Sequence, residues 1–201
     1  MSNTVVVVEG TMPFDEPKFV VFYSTLVSLF SLFCFNCRNP SPGVTVKKCG
    51  TMATVTQSCA MCGPNKQFSW RSQPYILGRY PAGNILLSFA ILMSGVNISK
   101  VLLMFRHMGL CVISARTYFV HQNKFLFPAI IQCWENCRDT MVQKLKGIKE
   151  ALTWCGDGRF DSMGHCAKYG VYTMFNSNIS KIVHFALLQV RLFPESLFDY
   201  L

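Results

Sequence analysis

Four cysteines are spaced as metal ligands. Cys34-Phe-Asn-Cys37 and Cys59-Ala-Met-Cys62 are two Cys-x2-Cys pairs about twenty residues apart, the pattern of a four-thiolate zinc site. Each pair lets two sulfurs from one tight turn reach the same tetrahedral ion. The alternative reading is four unrelated core cysteines. A second candidate chemistry lies in Gly156-Asp157-Gly-Arg159, with another carboxylate at Asp161. An apolar run enters this stretch, and Gly164 and Gly170 interrupt the chain after it, as expected of a buried strand that delivers a carboxylate to its end. The third is electrostatic. Between Pro17 and Trp134 there is no Asp or Glu, yet Lys18, Arg38, Lys47, Lys48, Lys66, Arg71, Arg79, Lys100, Arg106, Arg116 and Lys124 all fall there. A polyanion such as nucleic acid is the natural partner of that surface.

These residues need elements to hold them. Val44–Lys48 and Met52–Gln57 are β-rich, with Gly50-Thr51 where a hairpin turns, so the spacing predicts a zinc ribbon whose hairpin joins the two cysteine turns. Cys49 is surplus to a closed site. Upstream, Phe19–Cys37 carries no charge and is near the lower length limit for a membrane span. Ser24, Ser28 and Ser31 form a hydroxyl stripe on a helix there, favouring an amphipathic core helix over a membrane anchor.

Downstream, Asn84 is placed to cap a helix over Ile85–Met93 that ends at Gly95. A second helix spans Ser99–Met108 and closes at Gly109. Ser114 caps a third, Ala115–Asn123. Helices joined at glycines suggest a helix-turn-helix, whose third helix would present Arg116, His121, Gln122 and Lys124 to DNA. Similar helical hairpins also occur in proteins that bind nothing. Phe127–Leu152 reads as one long helix with Ile130, Trp134, Cys137, Met141, Leu145 and Ile148 as its core stripe. Cys133 and Cys137 stand one turn apart, but with no third ligand nearby they read as small core residues. Lys144, Lys146 and Lys149 make a solvated face. After Asp157, Val171–Phe175 and Lys181–Val190 are strand-like and Asn176-Ser-Asn178 is turn-forming, which completes a three-stranded meander.

Composition sets the frame. The chain has 201 residues, 51% of them hydrophobic and 14% charged, enough to bury a core and too apolar for a disordered tail. Ten cysteines in a chain this long and aliphatic, opened by Met1–Phe14 without the features of a signal peptide, read as thiols in a reducing compartment.

The order of these features resembles transposase-derived proteins grouped with Kolobok-type cut-and-paste elements. The resemblance runs through Cys34-x2-Cys37, the Gly50-Thr51 hairpin, Cys59-x2-Cys62, Trp70-Arg-Ser-Gln-Pro74, Pro81-Ala-Gly-Asn84, Ser94-Gly95, Trp134 and Gly156–Tyr172. It covers roughly residues 18–190. It implies an acidic-triad core of ribonuclease-H type that cleaves and transfers DNA strands with two Mg²⁺ ions. It implies Asp157 as the first metal-binding carboxylate and Asp161 as support or alternative. Met163 stands where that family usually has Pro. After Val190 such proteins continue into further acidic residues, whereas Arg191–Leu201 carries only Glu195 and Asp199, off any expected fourth strand.

The expectation is therefore an α+β chain: a flexible lead-in (1–17), a helix and zinc ribbon (18–80), a helical DNA-contacting region (81–150), a partial ribonuclease-H-like meander (151–190) and a tail (191–201). The expected function is zinc-dependent DNA binding by a C-terminally truncated, nuclear, transposase-derived protein without strand transfer. Lys47, Lys48, Arg71, Arg116 and Lys124 are the DNA contacts, with no small-molecule substrate and room for a homo-oligomer. The competing readings are a protein-interaction module built on the same ribbon, an enzyme completed by carboxylates from a partner chain, and a membrane protein anchored through Phe19–Cys37. Apolar residues of Ile182–Leu188 are expected to lie exposed beside an open sheet edge.

Overall fold

A computed structural model describes residues 11–162 and 167–189. Most of the lead-in, Met163 to Cys166, Val190 and the tail with Glu195 and Asp199 lie outside the described residues. The fold is α+β, with helices and three small antiparallel sheets. The chain divides into two compact units, Met1–Phe127 and Pro128–Leu201.

The first unit opens with helix α1, Tyr23–Ser31. It is shorter than the uncharged stretch that contains it, and among the described residues no helix is long and apolar enough to cross a membrane. The serine stripe satisfies itself locally, Ser28 donating to the Ser24 carbonyl at 2.9 Å and Ser31 to that of Val27 at 2.7 Å. The expected core helix is largely exposed. Only Phe30 is buried, against the rings of Phe35, Phe68 and Trp70.

Strands β1 (Gly43–Cys49) and β2 (Met52–Ser58) form the expected hairpin, with Cys49 paired to Met52 across the two-residue connection. Gly50 turns there at φ +62°, a left-handed conformation that suits glycine. A third strand, β3 (Phe68–Arg71), pairs with β2. Period-2 alternation sets two faces: Val46, Val55 and Trp70 share the face that Phe30 meets, and Lys47, Thr54 and Arg71 share the other.

A two-stranded ribbon of β4 (Tyr75–Ile76) and β5 (Tyr80–Pro81) leads into α2, Ala82–Ser94. This helix ends as expected at Gly95, φ +66°, whose N–H donates to the Leu92 carbonyl. Asn97 caps α3 (Ile98–His107) and Ser114 caps α4 (Ala115–His121), each through side-chain oxygens accepting first-turn N–H groups. Ile91, Ile113 and Tyr118 form the core between these helices, with Leu87, Ile98 and Val101 packed against it. The expected end at Asn123 is not found. A π-helical turn, Gln122–Leu126, runs directly into α5, Phe127–Lys146.

In the second unit α5 stops six residues short of the expected Leu152, where Gly147 and Ile148 close it with N–H bonds to Lys144 and Leu145. Glycine ends a helix readily because it forfeits the most backbone entropy inside one. Of the expected stripe only Leu145 is buried. The meander forms as expected: β6 (Trp154–Phe160), β7 (Tyr169–Asn176) and β8 (Lys181–Gln189) pair antiparallel in that order. Phe185 of β8 meets Trp134 of α5, ring centroids 4.9 Å apart. Asn176 makes the turn, its side-chain oxygen accepting from the N–H groups of Asn178 and Ile179. Ile182, Phe185, Leu187 and Leu188 are exposed, as expected of the apolar residues of this strand.

Candidate metal centre

The two cysteine turns meet. Cys34 Sγ lies 3.8 Å from Cys62 Sγ and Cys37 Sγ lies 3.6 Å from Cys59 Sγ. All four sulfurs fall within 4.8 Å of one another. A tetrahedral ion with metal–sulfur bonds of about 2.3 Å places its sulfurs about 3.8 Å apart. A disulfide needs about 2.05 Å, so these are thiols arranged around a common centre. Such a cluster can hold a metal ion such as zinc.

The first turn is built by the backbone. The Cys34 N–H donates to the Asn39 carbonyl and the Arg38 N–H to the Cys34 carbonyl, both at 2.8 Å, with Arg38 at φ +64°. The N–H groups of Cys37 and Asn36, with the neighbouring thiols, hold the Cys34 thiol down at about 7 against the opposing effect of its burial. Cys62 is pushed up to about 12, first by the Cys37 thiol, then by burial and by Cys34 and Cys59. Crowded sulfurs cannot all ionise without a cation among them. A divalent ion removes that conflict by stabilising every thiolate at once.

Sequence reasoning missed the residue that ties this centre to the sheet. Gln57, on β2 two positions before Cys59, is 1% exposed. Its side-chain oxygen accepts the Phe35 N–H at 3.0 Å, and its amide donates to the carbonyls of Phe30 at 2.6 Å and Phe33 at 3.0 Å. One buried amide thus satisfies both the end of α1 and the backbone on either side of Cys34. A glutamine in a strand gives no sequence signal of this, because its partners lie more than twenty positions away.

The other end of the hairpin is clamped by a second missed residue. Asn84 does not cap α2: the helix begins at Ala82, and Pro81 in the cap position offers no side-chain bond. Asn84 is buried and turned onto the hairpin tip, accepting from the Thr51 N–H at 2.8 Å and its hydroxyl at 2.9 Å, and donating to the Cys49 carbonyl at 3.0 Å. Gln73 donates to the Thr51 hydroxyl at 3.1 Å and accepts from the Gly83 N–H. A Cβ on Gly50 would fall 2.3 Å from the Asn84 oxygen. Gly50-Thr51, Gln73 and Gly83-Asn84 come from three of the segments that carried the resemblance, and together they make one anchor.

The candidate DNA contacts are all exposed but are not one constellation. Lys47 and Arg71 share a sheet face, both flanking Thr54, whereas Lys48 alternates to the other side. Arg71 lies over the Tyr75 ring at 5.1 Å. Arg116 is exposed on α4, and Lys124 donates to the Tyr80 hydroxyl at 3.1 Å. His121 is not presented to a ligand. It is 3% exposed, with Nδ1 2.9 Å from the Ser88 hydroxyl, and burial holds its pKa below the ordinary value. An interior-facing turn of α4 spends it on packing.

The carboxylates also depart from expectation. Asp157 is the fourth of seven residues in β6, opposite Thr173, and all seven are exposed. It is therefore neither at the end of its strand nor in a buried one. Among the described residues the strand has only β7 beside it, and Gly156 and Gly158 contribute no side chains to bury. Asp161 lies past the strand end, as expected, where its Oδ1 accepts the N–H groups of Lys168 at 3.0 Å and Tyr169 at 3.3 Å. Among the described residues, the four cysteines are the only group of three or more His, Cys, Asp or Glu side chains placed to share an ion. Nothing in that set supports a Mg²⁺ site at Asp157.

No protein-family model, curated protein or solved structure matches this chain.

The glycines around Asp157 have a local explanation. A Cβ on Gly156 would sit 1.8 Å from the Tyr172 hydroxyl oxygen and one on Gly170 would sit 3.0 Å from the Phe160 ring. Tyr172 of β7 lies across β6, and Phe160 of β6 lies across β7. The glycines leave room for two aromatic rings crossing in opposite directions. These rings account for Gly156 and Gly170 without any chemistry at Asp157, whereas a Cβ on Gly158 would meet Tyr172 at an ordinary 3.8 Å.

Proposed function

We propose that this is a zinc-ribbon protein of transposase-derived type that binds DNA through its acid-free basic surface and does not itself transfer strands. The observation that carries the reading is the convergence of Cys34, Cys37, Cys59 and Cys62 at one end of a sheet whose solvent face bears Lys47 and Arg71. Zinc suits four thiolates in tetrahedral array better than the harder divalent ions do. The metal's role is structural, since all four positions are filled by protein sulfur. The order of motifs from Cys34 to Tyr172 supports a transposase ancestry, and a DNA-binding role would put the protein in the nucleus. Strand transfer requires several carboxylates converging on a metal pair, and Asp157 and Asp161 have no third partner among the described residues.

The test has two parts. Metal analysis of the purified chain should give about one zinc per chain. Binding to a duplex should weaken steeply with salt, because each phosphate neutralised releases counterion. Tight zinc without duplex binding at low salt would remove the DNA half of the proposal.

A second reading draws on a different observation. Phe19, Val20, Phe22, Leu29 and Leu32 are each more than half exposed, a set of apolar side chains that suits a protein partner. On that reading the ribbon is an interaction module, and its binding would persist at high salt and fail on Phe22→Ser.

A further inference from the structure

The stretch between Pro17 and Trp134 has no acids, and four of its cations, Arg38, Arg71, Arg79 and Lys124, lie over aromatic rings. The most concentrated instance is Tyr80. Arg79 lies 5.3 Å from its ring centroid and Lys124 lies 5.6 Å from it. Lys124 also sits 5.5 Å from the Phe125 ring, and Phe125 meets Tyr80 edge-on at 4.8 Å. Two like charges held at one ring are separated by no more than about a Debye length, roughly 10 Å at 0.1 M salt. The only ion pair among the described residues is Arg138–Asp139, in the other unit, so neither charge is neutralised by a carboxylate.

The donor set is directional. Lys124 uses one of its three N–H bonds on the Tyr80 oxygen, which leaves the phenol free to donate its own proton. Arg79 brings a planar fork suited to phosphate oxygens. The Tyr80 phenol is drawn below its ordinary value, chiefly by the Lys124 hydrogen bond, as expected of a hydroxyl in a positive field. The platform is also well fixed: Tyr80 belongs to β5, and Lys124 and Phe125 to the π-helical turn after α4.

We infer that Arg79, Tyr80 and Lys124 form a clamp for a backbone phosphate of nucleic acid. This inference rests on the DNA-binding reading and names a contact point for it, away from the exposed Arg116 of α4. The π-helical turn is what supplies it, because it carries Lys124 and Phe125 to Tyr80.

The test is the salt dependence of binding of the zinc-loaded full chain to a duplex of about 20 base pairs of mixed sequence. Arg79→Gln and Lys124→Gln should each lower the slope of log affinity against log salt by about one, the effect of losing one phosphate contact. Affinity at 0.1 M salt should fall about tenfold in each. Tyr80→Phe keeps the ring and should lower affinity with the slope unchanged, whereas Lys144→Gln on α5, outside the acid-free stretch, should behave as the parent. Zinc content and near-ultraviolet circular dichroism report whether each variant is folded. If a variant misfolds, titration of the parent chain with inorganic tripolyphosphate, read by the Tyr80 ring resonances, replaces it. Parent-like binding by folded Arg79→Gln and Lys124→Gln would overturn the clamp and leave DNA binding standing. Failure of the parent to bind duplex would overturn the DNA reading and the clamp's assignment to nucleic acid together. In that case a response to tripolyphosphate alone would reassign the cluster to free polyphosphate.

Discussion

The four-thiol centre and the Asp157 strand present opposite cases of a chemical residue in its surroundings. Around Cys34 the protein closes: Phe30 packs on Phe35 of the first turn, Gln57 binds three backbone groups there, and Cys34 is itself buried, Cys59 and Cys62 being half-buried and Cys37 exposed. Around Asp157 it does not close. That residue sits mid-strand with every neighbour along β6 exposed, and its backbone oxygen receives a hydroxyl bond from Thr173 at 3.2 Å. A carboxylate on an exposed strand is left to solvent. Reactive side chains become sites only when other residues give up solvent to hold them, and the sulfurs have such residues where the carboxylate has none.

The comparison can be broken most forcefully at the metal. Replacing Cys37 and Cys62 together by serine should abolish zinc binding and unfold the ribbon. Structural zinc in small domains is worth on the order of 10 kcal/mol of folding free energy. Amide resonances of β1 to β3 would collapse toward random-coil positions, while those of the meander hold. A ribbon that stayed dispersed without metal would show that its side-chain clamps suffice.

Next in size is Gln57→Leu. It strands the Phe35 N–H and two carbonyls in a buried place, at a cost of about 3 kcal/mol, read as a lower urea midpoint with unchanged slope. Zinc affinity should fall about tenfold, as for other residues that orient metal ligands. On the meander, Gly156→Ala forces the Tyr172 ring aside and should cost about 1 kcal/mol. Tyr172→Ala in the same chain should recover part of that loss, because it removes the ring that the added Cβ meets.

A smaller effect is expected with pH. The folded-state pKa of His121 is depressed by burial, so the unfolded chain binds its proton more readily. Its contribution is fully present above about 6.5 and is lost as pH falls from there through the lower folded-state value. His121→Gln should flatten that part of the stability profile measured by denaturant unfolding. The smallest effect belongs to Asp157→Asn, which should change stability by less than about 0.5 kcal/mol and leave metal content as it was. A Mg²⁺-dependent nicking activity that vanished in this variant would reverse the comparison.

What the sequence discloses and what it hides divide along the same line. The cysteine spacing, the Gly50-Thr51 turn, the Ser114 cap and the Gly95 terminus are local geometry, settled within a few residues, and each stands where expected. The meander is legible as alternating runs and turn residues. Gln57 and Asn84 are not legible, because their partners lie 22 to 35 positions away and a lone amide says nothing about which backbone it will meet. Asn84 is also open to misassignment, since a capping residue and a tertiary clamp look alike one residue at a time. The exposure of β6 is hidden for a related reason. Alternation marks a strand, but burial depends on what lies against it.

The hairpin has one further consequence. Its cysteine turns lie at one end and the Asn84 anchor at the other, joined by strands of seven residues, or about 20 Å of stiff pleated backbone. It is a strut with two independent fastenings. Chelating the metal and cutting the anchor with Asn84→Ala should therefore loosen opposite tips, each fraying inward, so that amide exchange along β2 would run fastest from Ser58 in the one case and from Met52 in the other.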